Sequence, residues 1–556
     1  MLTYANYLDL LLFFLIYIYI FFSISGFGLF FNKYILRNKV YNNFEFFFLG
    51  LPVIFILSFY YSIFFKYNIY FNLVFSLFGF FFSLFFLNEK ILKFILLLIF
   101  FFGLIISQTH DDFGAYHYQY FKELVEGGPT LGLPHLASRY FYASSLTYIQ
   151  SIFYLPFFSY NLFFVPIYLI YICLIGYLIF ELKKTKNLNY SLIFLIILSV
   201  LLIKYYRFRE HGYDYLVHCL IFFIFCQYLK FNKIDFFYIT IFYLLILSNK
   251  LTGIIFLPLI LFITNYQNIE RIFLVRKILF LFFFLLSIFL NSFLKTGCIH
   301  FASEFSCPQL DVSWMVSYDE IIKIEKQFSI DWARGLYHGK KEIIPGSLGL
   351  FSKEWVPNWY VIHFKPKILD FLLTIIILVL LSIFFIFKAK LFINLKFIKI
   401  LLSIFLCFIL WFFLFPSVRF AHSIMVLFVI YFFLLFFKIK YLKKKILYIV
   451  IFFLVIYFNY RNLNRIYVEI KTIGFYKFDS FPYFKLPDRK YKIIRVDDNL
   501  EYYVPEDLSP DGSGKTCWNI KTPCKEDFSI QGKKNYEPHI NYYNNYRIIS
   551  EKKNNH

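Results

Sequence analysis

From its start to about residue 460 the chain repeats one pattern: apolar runs of about twenty residues separated by short polar breaks. A hydrocarbon core about 30 Å thick takes about twenty helical residues to cross, and a helix satisfies its own backbone there. Runs near 6–31, 44–65, 68–87, 91–107, 160–182, 188–204, 214–230, 235–248, 253–265, 277–294, 367–388, 397–415, 420–437 and 445–460 have this character. The expected architecture is therefore an all-α integral membrane bundle of about fourteen transmembrane helices. With 60% hydrophobic residues and a mean hydropathy of +0.65, the chain is too apolar for a water-soluble globule. Segment 141–158 is aromatic but contains Gln150 and Pro156 and falls short of a full span, so it is expected to be re-entrant or interfacial. The first run lacks a basic start and a small-residue cleavage site, which argues against a cleavable signal.

Lys and Arg are retained on the cytoplasmic side of short loops. Counting through the runs, 32–43 (Lys33, Arg37, Lys39), 183–187 (Lys183, Lys184, Lys186), 230–233, 266–276, 388–396 and 438–445 all fall on one side, which is then cytoplasmic. Segments 108–145, 295–366 and 461–556 fall on the other. The expected division is a membrane domain over 1–460 carrying outer loops 108–145 and 295–366, followed by a small extracytoplasmic tail over 461–556. The net charge of +22 is then mostly a topology signal, and nucleic acid is not an expected partner.

Cysteine usage points the same way, because disulfides persist outside the cytoplasm. Cys298 and Cys307 share one outer loop and Cys517 and Cys524 share the tail, which predicts two short disulfide loops. A zinc site built from these four thiols is the alternative, although no His joins them at ligand spacing. Cys173, Cys219, Cys226 and Cys407 lie in apolar runs and read as small hydrophobes.

The densest chemistry follows the fourth run: Thr109, His110, Asp111, Asp112, Phe113, Gly114, Ala115, Tyr116 and His117. A carboxylate beside a low-dielectric boundary is a stronger proton acceptor and a hard oxygen ligand, so Asp111 and Asp112 are candidates for a general base or a divalent-cation site. The structural alternative is a capping box, in which Thr109 and Asp112 open an amphipathic helix over 112–126. Further on, Gly127-Gly128-Pro129 leads to Arg139, which can grip a phosphate or merely snorkel. Arg207, Arg209 and Asp214 precede and enter the seventh run as candidate substrate contacts. His211, Asp214 and His218 share one helical face there, as weak metal ligands or as a hydrogen-bonded polar seam. Lys250 in Ser248-Asn249-Lys250-Leu251-Thr252-Gly253 and Arg419 in Pro416-Ser417-Val418-Arg419-Phe420 sit at outer helix ends, where cations neutralise anionic headgroups.

Taken together, Asp111 through His117, Lys250-Leu251-Thr252-Gly253, the Pro416 to Phe420 turn, and Cys517-Trp518 before Pro523-Cys524 resemble an uncharacterised family of large bacterial multi-pass membrane proteins. That family resembles in turn the type-C glycosyltransferases, whose multi-span bundle carries an acidic base in the first outer loop and uses a polyprenyl-phosphate sugar donor. The resemblance implies a glycosyltransferase in the bacterial inner membrane that moves a sugar to a glycan, lipid or protein acceptor at the outer face. Asp111 or Asp112 is the implied base, while His117, Arg139, Lys250 and Arg419 are implied contacts to donor and acceptor. No nucleotide-binding Gly-rich loop and no Asp-x-Asp motif is present, so no cofactor is implied beyond a divalent cation, which stays open.

In loop 295–366, Trp314, Trp332, Trp355 and Trp359 stand among carboxylates. That composition suits sugar stacking and equally suits membrane anchoring. The tail holds alternating pieces at 491–496 and 501–504 and reads as α+β or irregular. The competing functional classes are a transporter, flippase or polymerase of lipid-linked oligosaccharide and a non-catalytic envelope scaffold. The polar residues cluster at one face and no midplane inverted repeat is visible, which disfavours transport.

Overall fold

The computed structural model describes residues 4–37, 44–86, 90–105, 112–142, 144–205, 208–267, 274–300, 304–307, 312–319, 323–336, 349, 352–471, 489–497, 500–508, 515–526, 538–543 and 546–551. Every one of the apolar runs is helical. The first four are α1 (Tyr4–Phe31), α2 (Glu45–Phe64), α3 (Ile69–Phe86) and α4 (Lys90–Phe100). The polar segment after α4 then forms α5 (Tyr118–Gly127) and α6 (Ser145–Ser151). The central runs are α7 (Val165–Lys184), α8 (Leu188–Lys204), α9 (Phe208–Phe231), α10 (Phe236–Asn249), α11 (Leu257–Ile263) and α12 (Val275–Thr296). The second outer loop holds α13 (Lys323–Ala333) and α14 (Val356–Trp359), and the last runs are α15 (Leu369–Leu381), α16 (Ile398–Leu414), α17 (His422–Phe436) and α18 (Lys444–Lys471). Eight helices are long and apolar enough to cross a membrane, and six further apolar helices are shorter, among the described residues. The protein is a helical membrane protein.

The sidedness of each helix follows from its sequence. In α16 the residues Ile400, Ile404, Cys407 and Trp411 recur at helical spacing and are buried, while Leu402, Phe405 and Leu406 are exposed. Exposed Phe452 and Phe453 on α18, and Phe282 and Phe283 on α12, extend this apolar surface. In water such a surface would aggregate, whereas against lipid chains it is at no disadvantage. At the centre, α1 lies against α2 and α3 through small residues: a Cβ built on Gly26 would stand 1.8 Å from the Gly79 carbonyl oxygen, and one on Gly28 1.6 Å from that of Phe46. Without side chains at these positions the backbones come into contact, a common way for helices to pack in lipid.

The central part of segment 141–158 is enclosed by the protein. Helix α6 is buried along its whole length, and a 3-10 stretch over Pro156–Phe164 leads back into α7. Its free carbonyls are taken up by side chains of α2 and α3: Ser58 donates to Tyr148 O at 2.5 Å, and Asn72 donates to Ser151 O at 3.2 Å and Tyr154 O at 2.9 Å. Irregular backbone at this depth is tolerable because these partners replace the water that lipid excludes.

Short strands tie the ends of the bundle. At one end β2 (Ile234–Asp235) pairs with β3 (Thr264–Asn265), and β4 (Phe387–Leu391) pairs antiparallel with β5 (Phe437–Leu442) in the lysine-rich connections. At the other end β1 (Thr130–Leu131) in the first outer loop is joined by strands from the tail. The tail forms a hairpin of β6 (Tyr491–Asp497) and β7 (Leu500–Pro505), where alternation anticipated strands, and a second hairpin of β8 (Pro538–Tyr543) and β9 (Tyr546–Glu551). Strand β9 adds parallel to β1, with Thr130 opposite Arg547 and Leu131 opposite Ile548. Helix α18 continues to Lys471, past the expected boundary at 460.

Both expected disulfides are present, Cys298–Cys307 and Cys517–Cys524, so the four thiols do not form a zinc set. They stand at the same end of the bundle as α5. Lys122 of α5 donates to Ile520 O at 3.0 Å, and Ser292 at the end of α12 donates to Cys298 O at 2.9 Å. The tail is thus a cap on the segment that carries α5. Trp518 N donates to Gly114 O at 3.3 Å and its ring fills the space where a Gly114 Cβ would stand.

Candidate functional site

Five of the residues singled out from sequence converge beneath this cap. Asp112 opens the turn leading into α5 and makes no capping hydrogen bond to it; its two oxygens face Arg139 Nη1 at 3.9 Å and Arg419 Nη1 at 3.6 Å. Arg419 also turns its Nε to Asp214 at 3.6 Å, and the other oxygen of Asp214 meets Lys250. Arg419 therefore bridges two carboxylates that lie about a hundred residues apart in the chain, and Arg139 and Lys250 flank it. Their side chains are 13 to 27% exposed, so the cluster is recessed and open.

Each cation is also placed over an aromatic ring. The Arg419 guanidinium lies 4.2 Å from the Trp332 ring centre, Arg139 lies 5.4 Å from Tyr116 and 5.8 Å from Phe328, and Lys250 lies 5.0 Å from Phe420. Such contacts hold a cation without consuming its hydrogen-bond donors. The separations of Arg419 from its two carboxylates exceed hydrogen-bond length, and its buried Nε has no hydrogen-bond partner among the described residues.

The Arg419 turn is built by its surroundings. After Pro416 the chain makes a 3-10 turn over Val418–Phe420. The Trp359 indole donates to Pro416 O, and the Trp411 indole donates to Ser417 O at 2.9 Å. His218 fixes the far side: its Nε2 lies 2.8 Å from the Arg419 carbonyl oxygen and must donate there, leaving Nδ1 for Ser423 Oγ at 2.9 Å. With both nitrogens engaged, His218 belongs to a polar seam and offers no lone pair to a metal. Asp214 faces Lys250 and Arg419 instead. Among the described residues no group of three or more His, Cys, Asp and Glu is placed to hold a metal ion.

His117 stacks on Tyr213 with ring centres 3.9 Å apart, and Tyr213 Oη donates to Gln150 Oε1 at 2.7 Å, tying α5 to α6 and α9 beside Asp214. Asp111 and Arg207 lie outside the described residues, as do the side chains of Arg209 and His211. Three contributors carried no strong sequence signal. Trp332 was one of four similar tryptophans, Tyr116 stood in the Asp111–His117 run without a role of its own, and Lys367 opened an apolar run. Lys367 is exposed and within electrostatic reach of Arg419. Of the other tryptophans, Trp355 and Trp359 are buried and Trp314 donates to Phe293 O at 3.3 Å, so these three serve packing and not a sugar platform.

Burial, reinforced by the Asp112 carboxylate, raises the Tyr116 phenol well above its ordinary range, so it stays a neutral donor. Lys250 lies in the turn between α10 and the 3-10 stretch Leu251–Phe256, outside both apolar helices. Burial and the Arg419 guanidinium push it down to about 7, against the pull of Asp112. Among the described residues three cations meet two carboxylates in one recess with Lys367 alongside, a charge balance suited to an anion. Fold and cluster together define a helical membrane protein with a charged recess under a disulfide-bearing cap.

The family model described as a domain of unknown function, DUF8201, matches residues 10–426, and the chain belongs to that family. The match covers most of α1, all of α2 to α16 and every member of the cluster, and it ends early in α17. No curated protein and no solved structure matches the chain.

Proposed function

We propose that the protein is a membrane glycosyltransferase that moves a sugar from a polyprenyl-phosphate donor to an envelope acceptor at the outer face of the inner membrane. In this reading about fourteen helices span the bilayer and the tail is extracytoplasmic. The observation that carries it is Arg419 shared between Asp112 and Asp214 with Arg139 and Lys250 beside it. A lipid phosphate entering the recess competes for these cations. As it takes the guanidinium of Arg419, the hold on Asp112 weakens, and a carboxylate is freed beside the bound donor. The acceptor hydroxyl gives its proton to Asp112 as its oxygen attacks the anomeric carbon. The carbon to phosphate-oxygen bond breaks with its electron pair passing to the lipid phosphate, which Arg419, Arg139 and Lys250 stabilise as it leaves.

The test is transfer of labelled sugar from a panel of polyprenyl-phosphate sugars to envelope acceptors by the purified protein. No transfer across the panel, with Asp112→Asn cells indistinguishable from wild type, would remove this reading. Lys250 supplies a second check. Its positive charge is present below about pH 7 and is lost as pH rises through that value. Donor kcat/KM is therefore expected to fall between pH 6 and 8 in wild type, as the free enzyme's ionisations govern it. In Lys250→Arg, whose guanidinium stays charged, that fall is expected to flatten.

One observation favours the transport alternative. At the opposite end of the bundle Lys230 is held between Glu45 at 2.8 Å and Glu181 at 3.4 Å, with both carboxylates buried. Buried ionisable groups in helical membrane proteins often mark ion or substrate paths. Export of a lipid-linked sugar by sealed vesicles, lost in Lys230→Met and intact in Asp112→Asn, would favour transport over transfer.

A further inference from the structure

A second polar feature at the outer end shares no residue with the charged cluster. Between the ends of α2 and α12 and the loop that precedes β1 lies an open cleft of about 440 Å³, lined among others by Ser62, Gly128, Thr130, Tyr148, Asn291 and Lys295.

Lys295 is 3% exposed. Its ammonium donates to Tyr120 Oη and stands over the Tyr120 and Tyr148 rings, 4.1 and 5.5 Å from their centres. The hydroxyls beyond it are ordered in one direction. Tyr148 spends its single proton on Asn291 Oδ1 at 2.6 Å, so the 3.2 Å contact between Tyr120 and Tyr148 must be donated by Tyr120. Tyr120 can therefore only accept from Lys295. The chain of donors runs away from the ammonium, which keeps two N–H groups with no protein acceptor assigned to them. Among the described residues no carboxylate pairs with it. A buried amine that keeps N–H donors without acceptors is a costly arrangement that an anion in the cleft would relieve.

The cleft's position indicates the source of that anion. Ser62 and Ile63 lie one turn before Phe64 and Phe65, which are exposed, and Tyr60 Oη donates across to Phe283 O of α12 at 3.2 Å, beside further exposed rings. This apolar face is where lipid chains end and headgroups begin. Lys66 stands at the mouth against Gly128, with Glu126 within electrostatic reach of it. We infer that the cleft is a binding site for the phosphate of an anionic membrane lipid, with the buried Lys295 and the Gly128 backbone N–H as its donors, since Ser62 and Thr130 spend their protons on Phe59 O and Gly128 O. The inference does not depend on glycosyl transfer.

The experiment uses the full chain in detergent, with retained lipid counted by native mass spectrometry against added phosphatidylglycerol, phosphatidylcholine and inorganic phosphate. Wild type is expected to retain one phosphatidylglycerol in preference to phosphatidylcholine. Lys295→Met and the cleft-filling Ser62→Phe are expected to weaken that retention about tenfold. Binding of inorganic phosphate that is lost in Lys295→Met, with no lipid preference, would identify a free anion as the ligand and overturn the lipid source. Wild-type retention by either folded variant, for lipid and phosphate alike, would overturn the site itself. If Lys295→Met does not fold, Ser62→Phe, which keeps the charge, decides the matter. Transfer activity plays no part in these readouts, so a failure of the proposed function leaves them interpretable.

Discussion

Arg547→Met is expected to destabilise the outer cap by about 3–5 kcal/mol, because it leaves a buried carboxylate without its cation. Arg547 Nη2 donates to Glu123 Oε2 at 2.5 Å, and the two side chains are 2% and 0% exposed. The pair joins residues 424 positions apart and fastens β9 of the tail to α5 of the first outer loop. Glu123 Oε1 also accepts from Cys524 N at 3.1 Å, so one carboxylate holds both the second tail hairpin and the disulfide loop. Hydrogen exchange over 538–551, together with the emission of Trp518 packed on Gly114, reports detachment of the cap. The double variant Glu123→Gln/Arg547→Met is expected to recover much of the loss, since no uncompensated charge remains. A single variant with exchange equal to wild type would mean that strand pairing of β9 with β1 and the Cys517–Cys524 loop hold the cap without the ion pair.

The contrast between this pair and the membrane helices shows what the sequence carried openly. Apolar runs of the required length form helices because no other element satisfies its backbone in lipid, and that rule reads a stretch of chain without its neighbours. The disulfides were legible for a similar reason, since each joins cysteines 9 or 7 residues apart. Asp112, Arg139, Asp214, Lys250 and Arg419 each stood out as a charge at a membrane boundary. Their meeting around Arg419 did not, because it depends on how α5, α9, the turn after α10 and the turn before α17 pack. Sequence alone left Asp112 balanced between a helix cap and chemistry, and the direction of its side chain toward two guanidiniums is a tertiary fact. Trp332 could not be told from Trp314, Trp355 and Trp359 by residue type; what separates it is that Arg419 lies over its ring. Lys295 was invisible for the opposite reason. One lysine at the end of an apolar run is the usual sign of snorkelling, yet this one is enclosed by Tyr120 and Tyr148.

Asp112→Asn is expected to lower the rate of sugar transfer by about 10²–10⁴-fold, the range that removal of a positioned general base produces. The substitution keeps the size of the side chain and removes its charge, so Arg139 and Arg419 lose a competitor for phosphate. Donor KM is then expected to stay level or fall while kcat collapses, the pattern of a group that acts in the transition state and not in donor binding. Asp214→Asn should behave in the opposite way. Asp214 orients both Lys250 and Arg419, so its loss loosens the cations that receive the departing phosphate and raises donor KM alongside a smaller fall in kcat. This split separates a base from a positioning residue even though both are carboxylates on the same arginine. Asp111→Asn belongs in the same series, because Asp111 adjoins Asp112 in the chain and lies outside the described residues. A kcat that survives Asp112→Asn and collapses in Asp111→Asn would move the base by one residue and leave Asp112 as the partner that holds Arg139 and Arg419 in the recess. A kcat that survives both would remove acid–base chemistry from this recess and leave its cations to anion binding alone.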